Sequence, residues 1–93
     1  MIQIPALKLV EFRVRISEGA LAKGPIPVPF LTLRPVGRPQ TNVAHVPLTV
    51  TKDSGDGVIL AALVHPLRRR GELQLVVEVS QQPIAQYPIR VVD

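Results

Sequence analysis

The sequence predicts an all-β fold, a single antiparallel β-sandwich of six or seven strands covering residues 1–93. Three observations predict it. Apolar and polar residues alternate with period two through several runs, the pattern of strands with one buried face. Turn-forming Gly, Pro and Asp clusters interrupt those runs about every dozen residues, a spacing typical of sandwiches. Finally, 46% of the 93 residues are hydrophobic although the chain has two Phe, one Tyr and no Trp. The core must therefore be aliphatic, and its valine-rich runs favour sheet. A chain of this length makes one small domain.

Each element follows from local pattern. In VEFRVRIS, Val10, Phe12, Val14 and Ile16 share one face, and Glu11, Arg13, Arg15 and Ser17 the other. SEGALAKG offers one helical turn, with Ser17 as cap and Gly24 as stop. Next comes GPIPVPF, residues 24–30, with Pro25, Pro27 and Pro29 at alternate positions. Backbone N–H groups of a strand point to alternate edges, so these prolines delete donors along one edge while Ile26, Val28 and Phe30 face the core. The expected element is an edge strand protected against chain-to-chain pairing. A packed extended loop and a polyproline II ligand are the alternatives.

NVAHVPLTVTK reads as one strand, with Ala44, Val46, Leu48 and Val50 opposite His45, Pro47, Thr49 and Thr51. GVILAALVH is apolar on both faces and reads as a central strand. ELQLVVEVS sets Leu73, Leu75, Val77 and Val79 against Gln74, Val76, Glu78 and Ser80. AQYPIRVVD places Ala85, Tyr87, Ile89 and Val91 on one side. Turns are expected at Gly37–Gln40, Asp53–Gly57, Arg69–Gly71 and Gln82–Pro83.

Function is less visible. The absence of cysteine removes disulfides, thiolate metal sites and a Cys nucleophile, and leaves the compartment open. No apolar run approaches the ~20 residues that span a bilayer, and the first fifteen residues show no basic-then-apolar leader pattern. His45 and His65 are the only histidines; His45 shares a polar face with Thr49 and Thr51 and reads as solvated. Ser17, Ser54 and Ser80 occupy turn or strand-end contexts, so no nucleophile–base set stands out. The chain is expected not to be an enzyme, to need no cofactor and to hold no buried cluster of ionisable groups. Asp53 and Asp56 beside Gly55 and Gly57 read as a hairpin turn rather than a calcium loop.

The net charge is +4, and its sharpest feature is Arg68, Arg69 and Arg70 before Gly71. Placed at a loop tip near His65 and Lys52, their guanidinium forks suit sulfate, phosphate and carboxylate groups. They are the candidate contact for a polyanion such as a glycosaminoglycan, or for an acidic partner. Arg13, Arg15, Arg34 and Arg90 would add a basic patch if their strands brought them together. Three aromatics are too few for the stacking platforms of single-stranded nucleic-acid binding.

Residues 53–79 carry a likeness. Gly57-Val58-Ile59 opens a strand after a turn, Pro66-Leu67 follows, and Leu73, Leu75, Val77 and Glu78 complete the next strand. In that order they resemble the end of cadherin-like sandwiches and the C-terminal module of the fibulin family. Phe12-Arg13 and the final Ile89–Val92 are similar to the strands that bracket the fibulin pattern. The resemblance implies an immunoglobulin/cadherin-like sandwich acting as a non-enzymatic adhesion or matrix-assembly module, extracellular, binding protein through its surface. The acidic calcium ligands of cadherins have no recognisable counterpart. The partners so implied are another protein or other domains of a larger chain. A free sheet edge also permits self-association.

Overall fold

The computed structural model describes residues 2–17, 19, 28–37 and 42–93. Among them the chain forms eight strands: β1 (Ile2–Pro5), β2 (Val10–Ser17), β3 (Phe30–Pro35), β4 (Ala44–Pro47), β5 (Thr49–Lys52), β6 (Gly57–Val64), β7 (Gly71–Val79) and β8 (Gln82–Val92). One sheet has five strands in the order β1-β8-β7-β3-β4, the other three in the order β2-β6-β5. The fold is all-β with two sheets, and no α-helix occurs among the described residues. All neighbours run antiparallel except β1, which lies parallel to β8 with Ile2 opposite Ile89 and Pro5 opposite Val92. A purely antiparallel arrangement is thus corrected, and so is the number of strands. Four residues of β1 are too few to display a period. Its place is secured by Ile4, which is buried in the same core as Ile89 and Val91.

The inner faces of both sheets meet in one aliphatic core. Leu31 and Leu33 of β3, Leu75 and Val77 of β7, and Ile89 of β8 face Phe12 of β2 and Val58 and Leu60 of β6. Period-two alternation placed the β2, β7 and β8 members on the inner side. As expected, the doubly apolar β6 is central in its sheet.

Two local expectations need revision. Of the expected helical turn over 17–24 only Ser17 and Gly19 are among the described residues, and most of the proline stretch, Pro25 and Pro27 included, lies outside them. Within them, Pro29 is buried and precedes the strand. Val28 is 56% exposed rather than core-facing. Phe30 opens β3 on its outer face, and β3 is interior, flanked by β7 and β4. The strand therefore begins where the prolines end, because an interior strand needs its donors on both edges.

Residues 42–52 are not one strand. The chain pairs with β3 as far as Pro47, opposite Phe30, then joins β6 at Thr49, opposite Ala61. Buried Leu48 forms the corner, its N–H donating to the Pro29 carbonyl at 2.8 Å. A strand that changes sheets in this way closes one side of a two-sheet core. Pro47, having no N–H, suits the break. Val50 keeps its inward side opposite Leu60, yet stays 43% exposed because β5 is an edge strand.

The turn at Asp53–Asp56 joins β5 to β6, with Gly55 at φ 69° and the Asp53 N–H donating to the Gly57 carbonyl at 2.9 Å. Arg15 of β2 reaches across Gly57 to bond Asp53 Oδ2 at 2.9 Å. The Arg15 hydrogen bond, followed by that of the Ser54 backbone amide, lowers the Asp53 pKa below its ordinary 3.8. A depressed carboxylate pKa stabilises the fold above the unfolded value, and the contribution disappears as pH falls through the folded one. A side chain at position 57 would displace the Arg15 guanidinium, whose free end moves at little cost. Gly57→Ala is accordingly expected to leave the fold nearly as stable but to return the Asp53 titration toward 3.8. Carbon-detected NMR titration of the carboxyl checks this, and an unchanged Asp53 would refute the pairing.

Candidate functional site

Three surfaces carry the chemistry. The first is the end of the molecule where β6 finishes and β7 starts. Residues 65–70 cross from the smaller sheet to the larger one, so the arginines occupy a crossover and not a hairpin tip. Leu67 is buried and fixes the crossover, its carbonyl accepting the Leu7 N–H at 2.9 Å. The Ala6 N–H in turn donates to the Val92 carbonyl at 2.6 Å. The loop joining β1 to β2 thus lies against the arginine crossover. His65, Arg68, Arg69 and Arg70 are all exposed. Arg70 is paired with Asp93. Lys52 does not join them: it stands opposite Val58, near the far end of β6.

Nor do the other arginines form a patch. Arg13 pairs with Glu11 and Arg15 with Asp53 on the outer face of the smaller sheet. Arg34 pairs with Glu78, and Arg90 with Glu72 at 2.7 Å, both on the larger sheet. No carboxylate partner is present among the described residues for Lys8, Arg68 or Arg69, and all three lie at the crossover end.

The second surface is a side-chain network on the outer face of the larger sheet. Thr32 is fully buried there. Its hydroxyl lies 2.6 Å from Glu78 Oε1 and 2.9 Å from His45 Nδ1. The Glu78 carboxylate only accepts, so the single hydroxyl proton goes to it and Nδ1 must be the donor to Thr32. The pattern therefore requires a proton on His45 Nδ1. Arg34 Nη2 donates to the same Glu78 oxygen at 3.1 Å, and Arg34 Nε to Asn42 at 3.2 Å. Phe30 stacks on His45 with centroids 4.6 Å apart and planes within 2°. No buried cluster of ionisable groups was expected, and what the structure holds here is a part-buried one: the Glu78 and Arg34 side chains are 13% and 28% exposed and His45 is exposed. His45 is exposed, as expected, but it is on a different sheet from Thr49 and Thr51 and its ring is also engaged by Thr32 and Phe30. The clue lay in FLTLRP, whose Phe30, Thr32 and Arg34 alternate with two leucines, a pattern hidden by the proline run before it.

The hairpin joining β7 to β8 borders this network. Ser80 and Gln81 both have positive φ, 52° and 65°. That is the conformation a two-residue hairpin requires, here without glycine. A bulge after Val77 shifts the register beside Glu78.

The third surface is the side of the molecule away from the β4–β5 corner. β1 covers only Ile89–Val92 of the eleven-residue β8. Val92 turns its carbonyl toward β1, since it accepts the Ala6 N–H. Residues at even spacing from it, Arg90, Pro88 and Gln86, therefore direct their backbone groups away from β7. Pro88 fits there because no bond to β7 is lost. The Gln86 backbone groups, beyond the reach of β1, have no strand beside them among the described residues. Behind this open edge is a largely apolar cleft of about 240 Å³ between the sheets, lined by Ile2, Phe12, Val14, Leu75, Tyr87 and Ile89 together with Arg13 and Arg15.

No family model, curated protein or solved structure matches the chain.

Proposed function

We propose that the domain is a non-enzymatic protein-interaction or structural module, an immunoglobulin/cadherin-like sandwich of the adhesion or matrix-assembly type. Its partner contributes an extended segment that pairs with the open edge of β8. The observation that carries this reading is the uncovered Gln86 backbone above a largely apolar cleft. Main-chain bonds at such an edge supply affinity, and side-chain pockets supply choice. An extended peptide selected from a displayed library should shift the Gln86 and Tyr87 NMR signals. Gln86→Pro should abolish that binding with the fold intact, because its N–H is not part of the β7 pairing. Selected peptides that bind Gln86→Pro as well as the wild type would refute the edge.

A second reading is polyanion binding through Arg68, Arg69 and Arg70 with His65, favoured by Arg68 and Arg69 having no carboxylate among the described residues. Replacing all three arginines with alanine is expected to shorten retention on a heparin column. Identical retention of variant and wild type would remove this reading.

A further inference from the structure

We infer that the crossover end of the molecule docks on an anionic lipid surface, with leucines entering the interface and basic side chains meeting the headgroups. The inference deepens the polyanion reading, since it uses Arg68 and Arg69, but it rests on residues that reading leaves idle. Leu7 and Leu9, from the loop held against Leu67, are each 59% exposed, and Val36 at the same end is 61% exposed. Pro35 opposite Leu73 places Val36 beside the start of β7, close to where the arginine crossover ends. Leu7 adopts φ 62°, a left-handed conformation costly for a leucine. The chain therefore holds an apolar side chain out into solvent on a strained backbone, fixed by a hydrogen bond to the neighbouring loop.

Charge supplies the second half of the match. Lys8 lies between the two leucines, and Arg68 and Arg69 are in the adjoining loop. At the opposite end Asp53 and Asp56 are balanced by Arg15 and Lys52, so the excess positive charge lies at the crossover end, the one that would face a negative surface. A sulfated sugar or a nucleic acid would use these cations but offers nothing to Leu7, Leu9 and Val36. A bilayer interface accepts both: apolar side chains at the acyl boundary and cations at anionic headgroups. That mixture favours the membrane over the other polyanions. Docking of this kind is peripheral. Among the described residues no helix is long and apolar enough to cross a membrane.

Sedimentation with phosphatidylcholine vesicles, with and without phosphatidylserine, tests the inference. Binding is expected only when phosphatidylserine is present. Each basic residue is worth about five-fold in partitioning at low salt, so K8Q/R68Q/R69Q should lose on the order of a hundred-fold. Leu7→Asn is the discriminating variant, because asparagine tolerates the left-handed backbone. It should unfold at a higher temperature than the wild type and yet bind vesicles several-fold more weakly, with Leu9→Ser weakening them further. Heparin retention of both leucine variants should not change. Vesicle binding indifferent to Leu7→Asn and Leu9→Ser would overturn the lipid inference while leaving the polyanion reading standing. So would heparin retention without vesicle binding. Loss of both would end the two together.

Discussion

Leu33→Ala is expected to lower the unfolding free energy by about 2–5 kcal/mol, the range for truncating a buried leucine to alanine. Leu33 is fully buried at the middle of the larger sheet, opposite Leu75 on β7 and Ala44 on β4. The cavity so made lies between two neighbouring strands and the facing sheet, where the backbone has little room to collapse. For a domain of this size each kcal/mol corresponds to roughly 4–8 °C, so the midpoint should fall by about 10 °C or more. Val36→Ala, three residues later and exposed, should change stability by about 0.5 kcal/mol at most. Urea unfolding of both variants checks the contrast. Equal small effects would mean that Leu33 does not lie in the shared core.

Glu78→Ala carries the second large effect. It removes the acceptor of the fully buried Thr32 hydroxyl and the partner of Arg34 at one stroke. Breaking a fully buried pair costs about 3–5 kcal/mol. Here the Arg34 guanidinium can turn partly to water, so a loss of about 2–3 kcal/mol is expected. Thr32→Val should cost about 1 kcal/mol, because it removes one hydrogen bond from the Glu78 carboxylate while Arg34 still holds it. Because the two residues share one bond, their effects should not add: a coupling above about 0.5 kcal/mol is expected in the double-mutant cycle. Strict additivity would show that the hydroxyl and carboxylate do not meet. His45, read by its imidazole NMR signals, should lose its Nδ1–H preference in Thr32→Val.

What the sequence made visible was the part governed by period two. Val10 to Ile16, Leu73 to Val79 and Ala85 to Val91 show their inner sides by alternation, although Val76 on the other face of β7 is buried too and Tyr87 on the inner side of β8 is exposed. What it hid was decided by tertiary partners. IQIP is too short to display a period, and its parallel place beside β8 depends on contacts almost ninety residues away. The strand at Phe30–Pro35 was masked by the prolines before it, although its alternation is sound. The run through Pro47 keeps its side-chain alternation while its backbone changes sheets, an event that no side-chain pattern records. The same holds for the candidate site. Arg68, Arg69 and Arg70 announce themselves as adjacent charges, whereas Thr32, His45 and Glu78 come from three strands and only pairing register brings them together. Leu7 and Leu9 carry no period of their own, and only the placing of their loop shows them at the surface.

Amide hydrogen exchange followed by NMR tests the open edge of β8 most directly. The Leu31, Leu33, Leu75, Val77 and Leu60 amides should be protected together as one cooperative unit spanning both sheets. The Gln86 amide, between protected neighbours on β8, should exchange with solvent as an unpaired group does. A Gln86 amide as slow as that of Val77 would contradict the account, because the edge on which strand addition depends would already be occupied.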